Sequence, residues 1–428
     1  MPASAIRKLV PFSEAAESAG VKVYHLNVGA PDIKSPDCAV SAVRSRCDKL
    51  HHVSYTNSAG LAELRKAMCE KYYAKIGIEL QPSELLVTVG GSEAFAVAMQ
   101  IAAGPGEEII VVEPFYTNYQ TFAYLNGITL KAVHSDIDEG FALNDISGFE
   151  AQLTPATRAV LISNPCNPSG KLFTREEMLA IGEFCRRHDL FLICDEVYRE
   201  FCYTDEPFFS AMQIPGCGQN VILVDSVSKR YNLCGTRIGC IISRNPEVMA
   251  CALKFAQSRL CPPLLGQFAA IGALDTPASY FEEVKAEYIR RRDCALSLLN
   301  DIPGVYSPVP YGAFYTVARL PVRSAADFAK WMLTEFRKDM AENVYVPDQT
   351  ESDTLAPRQF DLESITLKAD SWLTGKTLSE TDMRSYGCMV ISVVSDGQVT
   401  TNPKPDYRFK EGDVVWLAGE KSACEWWA

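Results

Sequence analysis

Short apolar runs alternate with stretches of helical periodicity between Leu61 and about Cys251. Each run is bounded by turn residues and spans four or five positions without polar alternation. Continuous apolar strands separated by helices are typical of a mainly parallel sheet that is buried on both faces. We therefore expect an α/β domain with its ligand at the carboxyl ends of the strands. The runs are Leu85–Val89, Glu108–Val112, Ala159–Ile162, Phe191–Cys194 and Val221–Val224.

The regions on either side of this pattern differ from it. The N-terminal segment predicts an arm that ends in a strand, Val21–Leu26, and the segment after the sheet predicts a smaller α+β lobe with a helix, Glu282–Asn300, and a strand, Gly312–Val317. Polar residues then precede a β-rich unit with a hairpin turn at Asp396-Gly397. The predicted divisions are an arm at 1–30, a large domain at 31–255, an incomplete small domain at 256–346, a linker at 347–361 and a β-rich domain at 362–428.

Composition narrows the class of function. The 428 residues carry a formal net charge of −12, which disfavours nucleic acid as a partner and favours small molecules. The 15 cysteines form no C-x-x-C pair, and several lie in apolar runs, as expected of a protein in the reducing cytoplasm. No apolar run reaches the roughly 18 residues of a membrane helix, and charged residues interrupt the N-terminal segment. We expect neither secretion nor membrane insertion, and no metal site is predicted.

The first candidate for chemistry is Lys229 in Ser226-Val227-Ser228-Lys229, directly after a predicted buried strand. A partly desolvated amine at a sheet edge can form a Schiff base with an aldehyde cofactor. The two serine hydroxyls and Arg237, eight residues further on, suit a phosphate group. Taken alone, the same residues also fit an ordinary turn with a surface lysine.

Two more strand ends carry polar residues. Asn167 lies in a loop rich in proline and glycine after one strand, and Asp195 and Tyr198 follow the next strand. A carboxylate there can pair with a pyridinium nitrogen, and a tyrosine can reach a phenolic oxygen. A turn and a helix cap by Asp195 are the simple alternatives. Three such ends in one predicted sheet favour a cofactor site over these separate explanations.

Together these motifs resemble the class I aminotransferases of pyridoxal-phosphate fold type I, over about residues 1–346. The resemblance implies a mainly parallel, seven-stranded sheet with helices on both faces. It also implies that Lys229 is the Schiff-base lysine, that Asp195 pairs with the pyridine nitrogen, and that Tyr198 and Asn167 bind the 3′ oxygen of pyridoxal 5′-phosphate. Lys229, Asp195 and Tyr198 are then the catalytic residues.

The same resemblance assigns the remaining cofactor contacts. Gly90-Gly91-Ser92-Glu93 precedes a helix predicted from Ala94, and the N-terminus of a helix binds anions. A phosphate cup is therefore predicted from this segment and three later side chains. Tyr116 is expected over the pyridine ring, and Tyr55 is expected to reach the phosphate of a partner subunit in a homodimer. The predicted cofactor contacts are Gly91, Ser92, Glu93, Tyr116, Asn167, Asp195, Tyr198, Ser226, Ser228, Lys229, Arg237 and Tyr55.

The substrate side departs from the family. Members carry an arginine that binds the substrate's α-carboxylate through two hydrogen bonds, and the sequence after Val346 has no match for it. Arg358 lies in a linker context instead. Gly29, through its backbone N–H, and Asn167 remain as predicted substrate contacts. The resemblance implies an amino acid of the aspartate or aromatic type as donor and a 2-oxo acid such as 2-oxoglutarate as acceptor.

Residues 362–428 resemble a different family, the RCK_C (TrkA-C) domain of cation-transport proteins. The similarity lies in the segments Leu373–Leu378, Gly387–Ile391, Asp396-Gly397, Asn402-Pro403 and Glu411–Val415. Such domains are small β-rich dimers that bind regulatory ligands. The terminal region is therefore a regulatory domain, a structural appendage or a chance join of two reading frames.

Three readings of the whole chain remain. The first is a transaminase whose activity is impaired by the missing arginine. The second is a weakly active or inactive cofactor-binding module fused to a ligand sensor for cation transport. The third, a lyase or decarboxylase of the same fold, uses the same cofactor residues, and the sequence does not separate it from a transaminase.

Overall fold

The computed structural model describes residues 10–332, except 19, 21, 27, 28, 326 and 330, and residues 361–419, except 382, 384–387 and 402. The chain divides into two compact units, Met1–Val344 and Tyr345–Ala428. The predicted linker, apart from its last residue, lies outside the described residues.

The first unit alternates strands with helices over most of its length. The helices are α1 (Val10–Ser18), α2 (Asp37–Cys47), α3 (Ala62–Ala67), α4 (Gly90–Ala102), α5 (Asn118–Leu125), α6 (Ser147–Gln152), α7 (Arg175–Arg187), α8 (Val227–Arg230), α9 (Pro246–Arg259), α10 (Leu264–Ala273) and α11 (Ala278–Asn300). A π-helical turn, Met68–Tyr73, extends α3, and 3₁₀ turns occur at Ala74–Ile76, Pro82–Glu84, Ala211–Gln213 and Cys234–Thr236. The strands are β1 (Leu85–Val89), β2 (Glu108–Glu113), β3 (Thr129–His134), β4 (Thr157–Ser163), β5 (Phe191–Asp195), β6 (Val221–Ser226) and β7 (Ile238–Ile242).

Within the described part of this unit, seven strands form one sheet in the order β1-β7-β6-β5-β4-β2-β3. The pairs from β3 to β6 are parallel, and β7 is antiparallel to both of its neighbours. Val160 and Ile162 of β4 join one apolar core, whereas Ala159 and Leu161 join a second. Alternate residues of a strand point to opposite faces, so the sheet is buried on both sides. The predicted fold class is confirmed.

The structure corrects several element predictions. Residues 22–25 of the predicted strand Val21–Leu26 form no strand, and Gly312 makes only an isolated bridge to Cys202 in place of the strand Gly312–Val317. A strand needs a neighbour along its length to pair its backbone groups, and among the described residues these segments have none. The helix predicted from Ala94 begins at Gly90. Strands β3 and β7 were not predicted.

The second unit has its own small core. Its described strands, β8 (Asp361–Thr366), β9 (Cys388–Ser395), β10 (Gln398–Thr401) and β11 (Val414–Gly419), form an antiparallel sheet in the order β10-β9-β11-β8, and a short helix, α12, spans Leu378–Thr381. The predicted turn at Asp396-Gly397 joins β9 to β10, and both of its residues have positive φ. Val393, Val415 and Leu417 are fully buried in this core. Among the residues that the structure describes, no helix has both the length and the apolar composition of a membrane span.

A buried network of ion pairs connects the chain after β5 with the end of β6 and α8. It consists of Glu196, Arg199, Asp225 and Arg230, whose side chains are at most 3% exposed. Arg199 lies 2.6 Å from Glu196 and 3.6 Å from Asp225, and Arg230 lies 2.6 Å from Asp225. Burial by itself would raise the pKa of Asp225, but the two guanidinium groups outweigh it and hold this pKa below its ordinary value. Asp225 therefore keeps its charge at neutral pH.

We predict that Arg230→Met lowers the free energy of unfolding by about 3–5 kcal/mol, because it leaves the Asp225 carboxylate buried without its closest cation. Arg186→Met is the matched control, since Arg186 pairs with Glu183 at the surface, where both side chains are more than half exposed. An exposed pair of this kind contributes less than about 1 kcal/mol. Urea unfolding followed by circular dichroism measures both effects. Equal losses in the two variants would show that the network does not stabilise the fold.

Candidate active site

Three loops meet where the central parallel strands end. Ser163 of β4 is in register with Asp195 of β5, and Asp195 is in register with Val224 of β6. The backbone N–H of Asn164 also donates to the Asp195 carbonyl at 2.8 Å. Parallel pairing thus brings the Asn167 loop, Asp195 and the Lys229 segment to one edge of the sheet, as the sequence pattern predicted for that edge.

Lys229 occupies the short helix α8, directly after β6. Its ammonium group donates a hydrogen bond to the Gly29 carbonyl and lies 6.0 Å from the centre of the Tyr198 ring and 5.9 Å from that of Phe314. Burial lowers the pKa of Lys229, although nearby Cys234 and Asp195 partly oppose this change. A lysine with a lowered pKa is a better nucleophile and base near neutral pH.

Asp195 is 4% exposed at the end of β5. Its carboxylate accepts hydrogen bonds from the Tyr119 hydroxyl at 2.7 Å and from the Val197 backbone N–H at 3.1 Å. Burial raises the pKa of Asp195 to about 7, even though these hydrogen bonds lower it. Such a carboxyl group responds strongly to any cation placed beside it. Sequence reasoning missed Tyr119, although its position three residues after Tyr116, in the first turn of α5, was a usable signal.

Tyr198, whose ring lies near the Lys229 ammonium group, has Tyr315 and Tyr116 as neighbours. Tyr198 is 3% exposed, and its hydroxyl lies 2.7 Å from that of Tyr315. Tyr116 is partly buried, contacts the edge of Tyr119 and accepts a hydrogen bond from the Asn118 amide at 2.6 Å. Burial raises the pKa of Tyr198 well above its ordinary value, so its hydroxyl keeps its proton. Tyr315 was not among the predicted site residues.

The predicted phosphate cup assembles around the first turn of α4. A Cβ atom on Gly91 would lie 3.7 Å from Cβ of Ser226, and one on Gly90 would lie 2.4 Å from a guanidinium nitrogen of Arg237. Gly90 also has a positive φ of 72°, which glycine adopts without strain. The Ser226 hydroxyl donates to that of Ser228 at 2.8 Å. Backbone N–H groups at a helix start, two hydroxyls and a guanidinium therefore converge, a donor set that suits a phosphate dianion.

The remaining predicted residues differ in how they are placed. The Glu93 carboxylate caps its own helix by accepting from the Val89 N–H at 2.7 Å, and it pairs with Arg259 at 3.2 Å, so its side chain is already engaged. Ser92 is exposed in the same turn. Asn167 is partly buried in its loop, where its backbone N–H donates to Ser163. Tyr55 is 80% exposed and is not buried among the other predicted residues.

Four described arginines of α11 and the segment after it are already engaged in ion pairs with carboxylates of this chain. Arg290 and Arg291 pair with Glu287, Arg292 pairs with Asp293, and Arg319 pairs with Asp138. Arg358 lies outside the described residues.

Comparison with known sequences decides the family. The profile of the aminotransferase class I and II family matches residues 21–348, which is most of the chain. The chain belongs to this aminotransferase family. The TrkA-C domain profile matches residues 362–425, so a TrkA-C domain follows the aminotransferase region, and both predicted resemblances are confirmed.

Individual relatives agree with this assignment. The aspartate/prephenate aminotransferase of Cereibacter sphaeroides is 32% identical over 300 residues, which cover 70% of this chain and 74% of that protein. The aspartate aminotransferase of Pyrococcus abyssi is 32% identical over 340 residues, which cover 78% and 85%. The crystal structure of an aspartate aminotransferase from Thermotoga maritima superposes with a TM-score of 0.72 at 28% identity and covers 78% of this chain and 87% of that one.

The residues at the sheet edge fit the cofactor that this family implies. Pyridoxal phosphate needs an amine, an anion-binding cup and a carboxylate for its ring nitrogen. Lys229 supplies a partly buried amine. The backbone at Gly90 lies so close to the Arg237 guanidinium that a side chain there would collide with it, so the helix start and the guanidinium are close together. Asp195 is a buried carboxyl group with a raised pKa, whose charge a cationic ring nitrogen would balance.

We predict that Asp195→Asn stabilises the cofactor-free chain at pH 8, by on the order of 2–4 kcal/mol. The pKa of this carboxyl rises from 3.8 to about 7 on folding. Between these values the folded chain holds the proton and the unfolded chain does not, so wild-type stability falls as pH rises through this window. The asparagine variant lacks this fall. Urea unfolding at pH 4, 6 and 8 measures the difference, which should vanish at the lowest pH.

Asp225→Asn is the control of opposite sign, because Asp225 is equally buried but its pKa is lowered by Arg230 and Arg199 against the effect of burial. Its charged form stabilises the fold above the ordinary carboxyl pKa, and this contribution is lost as pH falls through the lowered value. We expect Asp225→Asn to destabilise the chain at pH 8. If both variants change stability in the same direction there, the contrast between the two carboxyl groups is wrong.

Proposed function

We propose that this protein is a pyridoxal-phosphate-dependent transaminase that acts as a cytoplasmic homodimer on an amino acid of the aspartate or aromatic type and a 2-oxo acid such as 2-oxoglutarate. The arrangement of Lys229, Asp195 and Tyr198 at one sheet edge carries the proposal. The named activities of the relatives support the substrate class. The cysteines whose side chains the structure describes are free thiols, in keeping with a reducing compartment.

When bound, pyridoxal phosphate supplies an aldehyde for the substrate's amino group and an aromatic ring that accepts the electron pair left at the substrate's α-carbon. Asp195 would hold a proton at the ring nitrogen by charge pairing. The Tyr198 and Asn167 side chains would bind the 3′ oxygen. The cup of Gly91, Ser92, Ser226, Ser228 and Arg237 would hold the phosphate, with Glu93 acting through the helix that it caps.

Lys229 has two tasks in this proposal. Its amine anchors the cofactor before substrate arrives, and afterwards it moves the proton from the substrate's α-carbon as a general base. Its lowered pKa supports both tasks, because a larger fraction of the amine is neutral near pH 7. Tyr55, which is largely exposed, is proposed to reach the phosphate of the partner subunit. Tyr116 is proposed to lie over the pyridine ring.

We predict that the purified chain shows a Schiff-base absorption band in the visible range after incubation with pyridoxal phosphate and removal of the unbound cofactor, and that Lys229→Ala abolishes both this band and transamination. Lys254→Ala is the control, since Lys254 is exposed on α9. Absorption spectra and a coupled transaminase assay make the comparison. A wild-type chain that remains colourless with added cofactor would refute the proposed function.

The second candidate function, a weakly active module joined to a ligand sensor, is favoured by one observation. The family match ends at residue 348 and the TrkA-C match begins at 362, and the sequence between them offers no match for the carboxylate-binding arginine. A missing bidentate contact removes several kcal/mol of transition-state stabilisation. The proposed impairment therefore concerns substrate binding, not cofactor binding.

We predict weak, poorly saturable transamination by the native chain. Replacing the residues after Val346 with the C-terminal segment of the Pyrococcus abyssi relative should raise kcat/KM by roughly 10²–10⁴-fold, since one buried ion pair contributes about 3–5 kcal/mol. Deleting residues 362–428 is the control and should not restore activity, because it supplies no clamp. Equal, robust turnover by the native chain and the chimera would show that another residue binds the carboxylate.

A further inference from the structure

Tyr315 lies on the segment that follows α11, and this segment is fixed to the site by backbone contacts. The Gly312 N–H donates to the Gly170 carbonyl at 2.9 Å, and the Ala313 N–H donates to the Phe201 carbonyl at 2.9 Å. The Tyr203 hydroxyl donates to the Ala313 carbonyl. Although the segment is not a strand, these three bonds hold it against the Asn167 loop and the chain after β5.

The Tyr315 side chain reaches across the site from this anchor. Its hydroxyl lies 2.7 Å from that of Tyr198, and the two rings meet edge to face with centroids 5.5 Å apart. The same hydroxyl packs against Gly29, because a Cβ atom added to Gly29 would lie only 2.0 Å from the Tyr315 hydroxyl oxygen. The Gly29 carbonyl in turn accepts the hydrogen bond from Lys229. Tyr315 therefore touches both the tyrosine and the loop that surround the reactive amine.

Either hydroxyl of the Tyr198–Tyr315 pair can donate the hydrogen bond, and the choice decides which proton remains free for another acceptor. A tyrosine hydroxyl donates one hydrogen bond and accepts others. If Tyr315 donates to Tyr198, the Tyr198 proton is left to donate to a further acceptor, and a chain of such bonds strengthens each member. Burial raises the pKa of Tyr315 to about 12 and that of Tyr198 well above its ordinary value, so both groups keep their protons at neutral pH.

We propose that Tyr315 is a positioning residue, whose hydroxyl holds the Tyr198 hydroxyl in place and directs its proton toward the oxygen that Tyr198 binds. The inference rests on the proposed function, in which that oxygen is the 3′ oxygen of pyridoxal phosphate. The simple alternative is that Tyr315 only packs the aromatic cluster with Phe314 and Tyr198. A hydroxyl that only fills space could be removed without changing the electronic properties of the cofactor.

The test is a pH titration of the visible absorption of the pyridoxal-phosphate-loaded protein. Tyr315→Phe keeps the ring but removes the hydroxyl, so the bond from Tyr198 to the 3′ oxygen weakens and the ionised ring is less stabilised. We expect the midpoint to rise by about 0.5 pH unit or more, the size expected for the loss of one hydrogen bond. We also expect kcat to fall more than KM changes.

Tyr203→Phe is the matched control, because it removes a hydroxyl that anchors the same segment without contacting Tyr198's hydroxyl. Its titration midpoint should equal that of the wild type. Gly29→Ala provides a second, independent variant, since the new methyl group displaces the Tyr315 hydroxyl. It should raise the midpoint in the wild-type background and add little when combined with Tyr315→Phe.

The outcomes separate the inference from the function on which it rests. Normal wild-type absorption with an unchanged midpoint in Tyr315→Phe overturns the role of Tyr315 and leaves the transaminase proposal standing. Equal shifts in Tyr315→Phe and Tyr203→Phe likewise overturn it, since packing alone would then explain both. A wild-type chain without cofactor absorption overturns the proposed function and this inference together.

Discussion

The geometry of the site depends on the buried ion network of Glu196, Arg199, Asp225 and Arg230. Each member is a chain neighbour of a predicted site residue: Glu196 follows Asp195, Arg199 follows Tyr198, Asp225 precedes Ser226 and Arg230 follows Lys229. One residue of each pair contributes to the site and the other to the network. Buried charges tolerate little displacement, because a lost partner leaves an unpaired ion in an apolar medium. The network therefore fixes the two strand ends, and the functional side chains are fixed with them.

The same edge holds two buried carboxyl groups with opposite properties. Asp225 faces two guanidinium groups, and its pKa is lowered despite burial, whereas burial raises the pKa of Asp195 to about 7 although its carboxylate accepts two hydrogen bonds. At pH 8 we expect the first arrangement to stabilise the fold and the second to lower the stability of the cofactor-free chain. A group of the second kind is expected where a charged ligand completes the site. This contrast supports the proposed pairing of Asp195 with a ring nitrogen.

The proposed site has residues for each part of the cofactor but no match for the family's carboxylate-binding arginine on its substrate side. The described residues include an amine, a carboxyl group and the residues proposed to hold a phosphate, all at one edge of the seven-stranded sheet. The family's carboxylate clamp belongs to a later part of the small lobe, and this chain continues there into a TrkA-C domain with its own four-stranded sheet and core.

Sequence alone predicted the main strands and the β9–β10 hairpin turn, because continuous apolar runs and turn residues act over short distances. The residues proposed for the cofactor were assigned by the resemblance of their motifs to the aminotransferase family. The sequence did not predict β7, since an antiparallel strand between β1 and β6 is selected by pairing across the sheet. It predicted a strand at Gly312–Val317, where the fold provides only one bridge. Tyr119 and Tyr315 lie 76 and 117 positions from the residues that they contact. Only the tertiary structure could bring such pairs together, because no local pattern encodes the distance between side chains on separate loops.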